Sequence, residues 1–162
     1  MSKDYIFSVD PGNIESAYSV LDEELRPIEF GKVNNEWLRE NMLDVINKHK
    51  VYNIAIEMIA SYGMAVGATV FDTCVWIGRF TEVAQRHSNV DEVKYIYRKE
   101  EKMNLCGTMK AKDSNIRQAL IDRFGVVGTK GNKGWFYGVS NDVWAAIACG
   151  TTYSDLYLKR EL

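Results

Sequence analysis

Two prolines, two histidines and three cysteines in 162 residues leave little room for several kinds of protein. The cysteines, at 74, 106 and 149, are odd in number and lack paired spacing, which argues against a disulfide framework. Apolar neighbours make each a candidate small buried side chain. His49 and His87 stand apart near the ends of helical patterns, which argues against a zinc site. No run approaches the ~20 apolar residues of a membrane-spanning helix. Met1-Ser2-Lys3-Asp4 also lacks the apolar core of a signal peptide. A soluble, cytoplasmic protein is therefore expected. No Ser/Gly-rich linker interrupts the chain, so one domain over residues 1–162 is expected.

What is present is apolar and unevenly charged. Apolar residues make up 46% of the chain, which excludes general disorder. The net charge of −2 argues against an indiscriminate nucleic-acid binder. Yet the segment from Lys94 to Lys133 holds ten Lys/Arg and four Asp/Glu, a local net of +6, which leaves −8 for the remainder. One part of an acidic molecule is thus equipped to face a polyanion; the competing reading is a solvated face.

The pattern of apolar residues predicts the order of elements. Residues 4–10, 15–22 and 28–33 read as three strands joined by short turns, an antiparallel meander. Asn34-Asn35-Glu36 opens an amphipathic helix over 35–49. Residues 51–56 form a short apolar strand that ends at Glu57, and its helical crossover makes it parallel to a meander strand. A helix over 68–87, apolar around much of its girth, is a candidate subunit contact. A fifth strand follows at 93–97, then helices at 99–105 and 112–124. After a glycine-interrupted stretch, Ser140-Asn141 is expected to cap a last helix reaching Leu156. The fold class is α/β: a five-stranded mixed sheet, three antiparallel strands plus two parallel, flanked by helices.

Three carboxylates occupy telling places in that order. Asp10 ends the first strand, Glu57 ends the fourth, and Asp142 opens the last helix. Neighbouring parallel strands one and four would set Asp10 beside Glu57, and the last helix could bring Asp142 over the same edge. Such a group repels itself, and burial makes it worse. Two Mg²⁺ or Mn²⁺ ions, which prefer oxygen ligands, would relieve that repulsion. Taken singly, Asp10 also reads as a turn residue and Asp142 as a first-turn acid favoured by the helix dipole. Their joint placement favours a metal site.

The element order and these acids resemble the RNase H-like superfamily, and within it the RuvC-type Holliday-junction resolvases. The motifs are Ser8-Val9-Asp10-Pro11-Gly12, Ala55-Ile56-Glu57-Met58 and Asp142-Val143-Trp144-Ala145-Ala146-Ile147. Residues 57–64, 71–80 and 111–120 look like phage-encoded RuvC-like nucleases. The likeness spans roughly residues 4–155. The first motif is weak alone, because actin-like ATPases open similarly, but those need a second phosphate loop and about twice this length.

The resemblance implies Asp10, Glu57 and Asp142 as catalytic metal ligands, with Mg²⁺, replaceable by Mn²⁺, as cofactor at two ions per site. It implies a homodimer that nicks four-way DNA in pairs during recombination and repair, in a bacterial or phage-infected cell. It also implies a further Asp three residues after Asp142, where this chain has Ala145; Asp113 and Glu15 are the candidate substitutes. Lys102, Lys110 and Lys112 match in general position the family's lysines near the scissile phosphate.

Other DNA contacts read from the residues themselves. Lys130 and Lys133 lie among glycines, followed by Trp135-Phe136-Tyr137. The lysines suit phosphates and an aromatic suits an unpaired base; alternatively Trp135 and Phe136 tuck into the core. Tyr62, in the loop after Glu57, is a candidate probe of unstacked bases or a packing residue. Arg117 and Arg123 read as solvated helix charges. The expected function is a metal-dependent nuclease of branched DNA. Its rivals are a flap or RNA–DNA-hybrid nuclease on the same fold, and a non-catalytic binder of branched DNA.

Overall fold

The structure, a computed structural model, describes residues 4–61 and 63–158. Five strands form one sheet: β1 (Ile6–Asp10), β2 (Glu15–Leu21), β3 (Pro27–Asn34), β4 (Asn53–Met58) and β5 (Val93–Tyr97). Their spatial order is β3-β2-β1-β4-β5. β1 runs antiparallel to β2, and β2 to β3; β1 is parallel to β4, and β4 to β5. This is the expected mixed sheet.

Alternation along the strands divides two cores. Phe7, Val9, Val20, Ile54 and Ile56 face one side and pack under α1 (Asn35–His49) and α2 (Ala68–Gln85). Ile6, Ala17, Leu21, Ala55 and Ile96 face the other, under α4 (Asp113–Phe124) and α5 (Val143–Tyr157). Between β5 and α4 lies α3 (Arg98–Cys106), which packs on α5. α5 comes very close to the sheet because residue 150 is glycine: a Cβ there would stand 2.8 Å from both Leu21 Cδ1 and Ser8 Oγ.

Several boundaries differ from the sequence reading, each for a local reason. Lys50 ends α1 in the left-handed conformation, and the Val51 amide donates back to Ile46 O at 3.1 Å. Val51 therefore belongs to the helix stop, β4 begins at Asn53, and Glu57 lies inside the strand rather than just past it. Asn141 is left-handed at φ 49°, so Asp142, not Ser140-Asn141, is the N-cap residue of α5. The glycine-rich stretch folds into a small hairpin, β6 (Gly128–Thr129) and β7 (Asn132–Lys133). Its Gly134 is required, since a Cβ would meet Val126 O at 2.0 Å. Cys149 is buried as expected and Cys106 partly so, but Cys74 is exposed because it lies on the outer side of α2. No helix among the described residues is long and apolar enough to cross a membrane.

Candidate active site

The register of the sheet builds the site. Val9 stands opposite Ile56, so the next residues along the two parallel strands are Asp10 and Glu57. Both belong to the alternation set of Ile6 and Ala55, which faces α5. On the other flank Asp10 pairs with Ala17, and Ala17 with Lys32. One cross-sheet row thus carries Lys32, Ala17, Asp10 and then Glu57.

The turn after Asp10 is firmly tied. The Gly12 amide donates to Ser16 Oγ at 3.1 Å, and Asn35 Nδ2 donates to Gly12 O at 2.9 Å. Ser16 Oγ in turn donates to Asn35 Oδ1 at 2.6 Å, and the Asn35 amide to Ile14 O at 2.9 Å. Ser16 and Asn35 are both buried. Gly12 tolerates no side chain, because a Cβ would stand 2.3 Å from Glu15 O. Asp10 is therefore held at the sheet edge by the start of α1.

Asp142 approaches from α5. Burial, then Glu57, then Asp142 push the Asp10 carboxyl up to about 8, against the opposing pull of Arg98. Both other expected carboxylates thus act on Asp10 across this edge. They are not gathered to ligation distance: among the described residues no three Asp, Glu, His or Cys side chains are close enough to hold a metal ion. Two cations stand among them. Lys32 Nζ lies 2.8 Å from Asp142 Oδ2, whose side chain is 54% exposed. Arg98 Nη1 lies 3.9 Å from Glu57 Oε1.

Arg98 and Glu101 were not foreseen from the sequence. Tyr97 pairs with Met58, so Arg98 is the first residue past β5 at the edge that carries Glu57. Its Nη1 donates to Glu101 Oε1 at 2.8 Å, and its Nη2 to Asp113 Oδ1. Glu101 is completely buried. Burial first, then the facing Glu57, push its carboxyl well above the usual range. Glu57 Oε1 and Glu101 Oε2 are both buried and find no hydrogen-bond donor. The available signal was Arg98 and Glu101 at helical i,i+3 spacing directly after a strand that ends at the same edge.

The donor set suits a hard divalent cation: every group is a carboxylate oxygen, two of them lack donors, and negative charge outweighs the local Arg98 and Lys32. Neither candidate substitute for the acid missing at Ala145 stands ready. Asp113 is exposed and engaged by Arg98, and Glu15 is exposed at the first position of β2.

The lysines divide into two groups. Lys112 is the residue before α4, its amide donating to Asn115 Oδ1 at 2.9 Å. Its neighbour Asp113 pairs with Arg98, so Lys112 belongs to the carboxylate edge. Lys102 is partly buried one turn beyond Arg98 on α3, and Lys110 is exposed in the loop before α4. Lys130 and Lys133 are exposed on the β6–β7 hairpin, with Lys133 Nζ 5.1 Å over the Tyr137 ring. The hairpin is rooted elsewhere. Trp135 stacks on Phe124 and lies beneath Arg26, in the β2–β3 turn at the end of the sheet away from Asp10. Phe136 is buried against Trp144, so Trp135 and Phe136 serve the core. Arg117 lies over the Trp144 ring at 5.1 Å and Arg123 pairs with Asp155. Tyr62 lies outside the described residues.

Two solved structures share this architecture. Thermus thermophilus RuvC in complex with Holliday junction substrate matches over 93% of this chain and 92% of its own, with a TM-score of 0.73 and 15% identity. A second Thermus thermophilus RuvC structure matches over 93% of each chain, with a TM-score of 0.69 and 14% identity. The fold is that of RuvC. No family model and no curated protein matches the sequence.

Proposed function

We propose that this chain is a divalent-metal-dependent endonuclease that nicks branched DNA, with the four-way junction as its preferred substrate. The observation that carries the reading is the row of Asp10 and Glu57 on two parallel strands, facing α5 with Asp142 above them. One neighbour of the same fold is bound to a Holliday junction, which supports branched DNA as the substrate class.

Asp10, Glu57 and Asp142 would hold the ions, which when bound supply the positive charge that a phosphate and an attacking water need. The chain's own residues do the rest. The Gly12–Ser16–Asn35 bonds fix Asp10 in place. Lys32 pairs with Asp142 at 2.8 Å and balances its charge. Lys102, Lys110 and Lys112 offer positive charge to the DNA backbone beside the carboxylates. Lys130 and Lys133, further off, suit a second stretch of backbone, and Tyr62 remains a candidate base contact.

Paired nicks on a four-way junction call for two sites related by two-fold symmetry. The outer side of α2 is the proposed dimer contact, because Phe71 is 61% and Val75 52% exposed there. Sedimentation of the wild type against Phe71→Glu tests that contact: a monomeric wild type sinks it.

The function itself is tested by cutting assays with Mg²⁺ on a four-way junction, a flap and an RNA–DNA hybrid. The junction should be cut best; preference for the hybrid overturns the resolvase reading. The alternative of a binder without catalysis draws on Ala145, and would show as junction binding with no cutting in either Mg²⁺ or Mn²⁺.

A further inference from the structure

Glu101 is a carboxylate that the fold buries without fully satisfying. It is 0% exposed, on a helix packed against α5, where a charged side chain is costly unless paired and hydrogen-bonded. One of its oxygens receives Arg98 at 2.8 Å; the other receives nothing. Across from it, Glu57 Oε1 is also buried and also without a donor, with Arg98 at 3.9 Å, too far for a hydrogen bond. A single guanidinium is thus shared among Glu101, Glu57 and Asp113. Two buried oxygens from separate elements, neither receiving an N–H donor and each close enough to act on the other, define a place for positive charge that Arg98 fills incompletely.

The rest of the edge points the same way. After Asp142, α5 carries no further acid until Asp155. Asp113 is 92% exposed and Glu15 lies at the outer start of β2. Glu101 is the buried acid that reaches Glu57 from the opposite side, from α3 rather than α5.

We propose that Glu101 is a cation-binding carboxylate of this site, sharing a divalent ion with Glu57 in a place that Arg98 holds while no ion is bound. The inference rests on the reading of Glu57 as a metal ligand. All the donors are carboxylate oxygens, so the ion is of the Mg²⁺ or Mn²⁺ class. Its arrival moves Arg98 off Glu57 and Glu101 and leaves it on Asp113.

The test is Mn²⁺ titration of the full chain at pH 8 by calorimetry, comparing wild type, Asp10→Asn, Glu101→Gln and Arg98→Gln. Glu101→Gln should weaken Mn²⁺ binding about tenfold or more, or remove one bound ion. Arg98→Gln should tighten it, because the competing cation is gone. Eu³⁺ luminescence lifetimes separate ligation from indirect positioning: losing a carboxylate ligand adds about one bound water per ion, whereas a positioning effect does not. Wild-type affinity and an unchanged water count in Glu101→Gln overturn the proposal. If Asp10→Asn weakens Mn²⁺ binding and Glu101→Gln does not, only this inference fails. If neither does, the edge is no cation site and the proposed function fails with it. Should Glu101→Gln lose its folded circular dichroism, Arg98→Gln decides: unchanged or weaker Mn²⁺ binding overturns the proposal and tighter binding upholds it.

Discussion

On the α1 face of the sheet, Glu29 is met by three donors: Tyr18 Oη at 2.8 Å, His49 Nε2 at 2.9 Å and Lys48 Nζ at 3.2 Å. Burial opposes its ionisation, but hydrogen bonds from His49, Tyr18 and Lys48 outweigh it and hold the carboxyl below its ordinary value. On the α5 face, Asp10 is driven the other way by burial, Glu57 and Asp142, and Glu57 and Glu101 each keep an oxygen without a donor. The same sheet therefore satisfies one strand carboxylate and leaves a group of them in mutual repulsion. The fold is able to neutralise an acid where it packs one. At the edge shared by β1, β4 and α5 it places acids with too few donors, which marks that edge as the candidate functional site.

Substitutions at the two places should act in opposite senses. The largest effect belongs to Asp10→Asn, which should lower junction cutting by on the order of 10²–10³-fold or more while junction binding persists. In the metal-free protein the same change should raise the melting temperature, since Asn carries none of the cost of burying or protonating a carboxyl beside Glu57. Glu29→Gln should do the reverse, with cutting kept and stability lowered by about 1–3 kcal/mol as the donors around it lose their acceptor charge. Equal signs for the two melting shifts would erase the contrast.

Titration sharpens the comparison. The folded Asp10 carboxyl, at about 8, lies above its ordinary value of 3.8, so the folded state binds the extra proton between those limits. Metal-free stability should therefore be highest at the acid end of that window and fall as pH rises through about 8. Thermal melts across pH should show the slope in wild type, flattened in Asp10→Asn and by added Mg²⁺.

The smallest effects concern the lysines. Lys112→Ala, at the carboxylate edge, should weaken junction binding and cutting together. Lys130→Ala, on the distant hairpin, should weaken binding alone. Each should reduce the salt dependence of binding by about 0.9 in the log–log slope. Equal effects on cutting would merge the two lysine groups.

The sheet and its helices were legible because apolar alternation and helical spacing are local properties that packing only confirmed. The placement of Asp10, Glu57 and Asp142 at one edge was legible for a related reason: an acid at the end of an apolar strand, or opening an apolar helix, is conspicuous. Arg98 and Glu101 were not. An Arg and a Glu three apart on a charged helix look like solvated residues, and only the packing of α3 on α5 makes Glu101 interior. Lys32 hid for want of register, since its place beside Asp10 depends on two successive strand pairings. Cys74 misled because its apolar neighbours Phe71 and Val75 are themselves exposed.

The knot of bonds around Gly12 gives the site an unequal mechanics. Asp10 sits on a turn braced as tightly as the interior, with buried Ser16 and Asn35 as its struts. Asp142 is exposed and tethered by Lys32 alone among its described ion-pair partners. The freedom this edge retains lies in the Asp142 side chain, while the braced turn fixes where Asp10 stands.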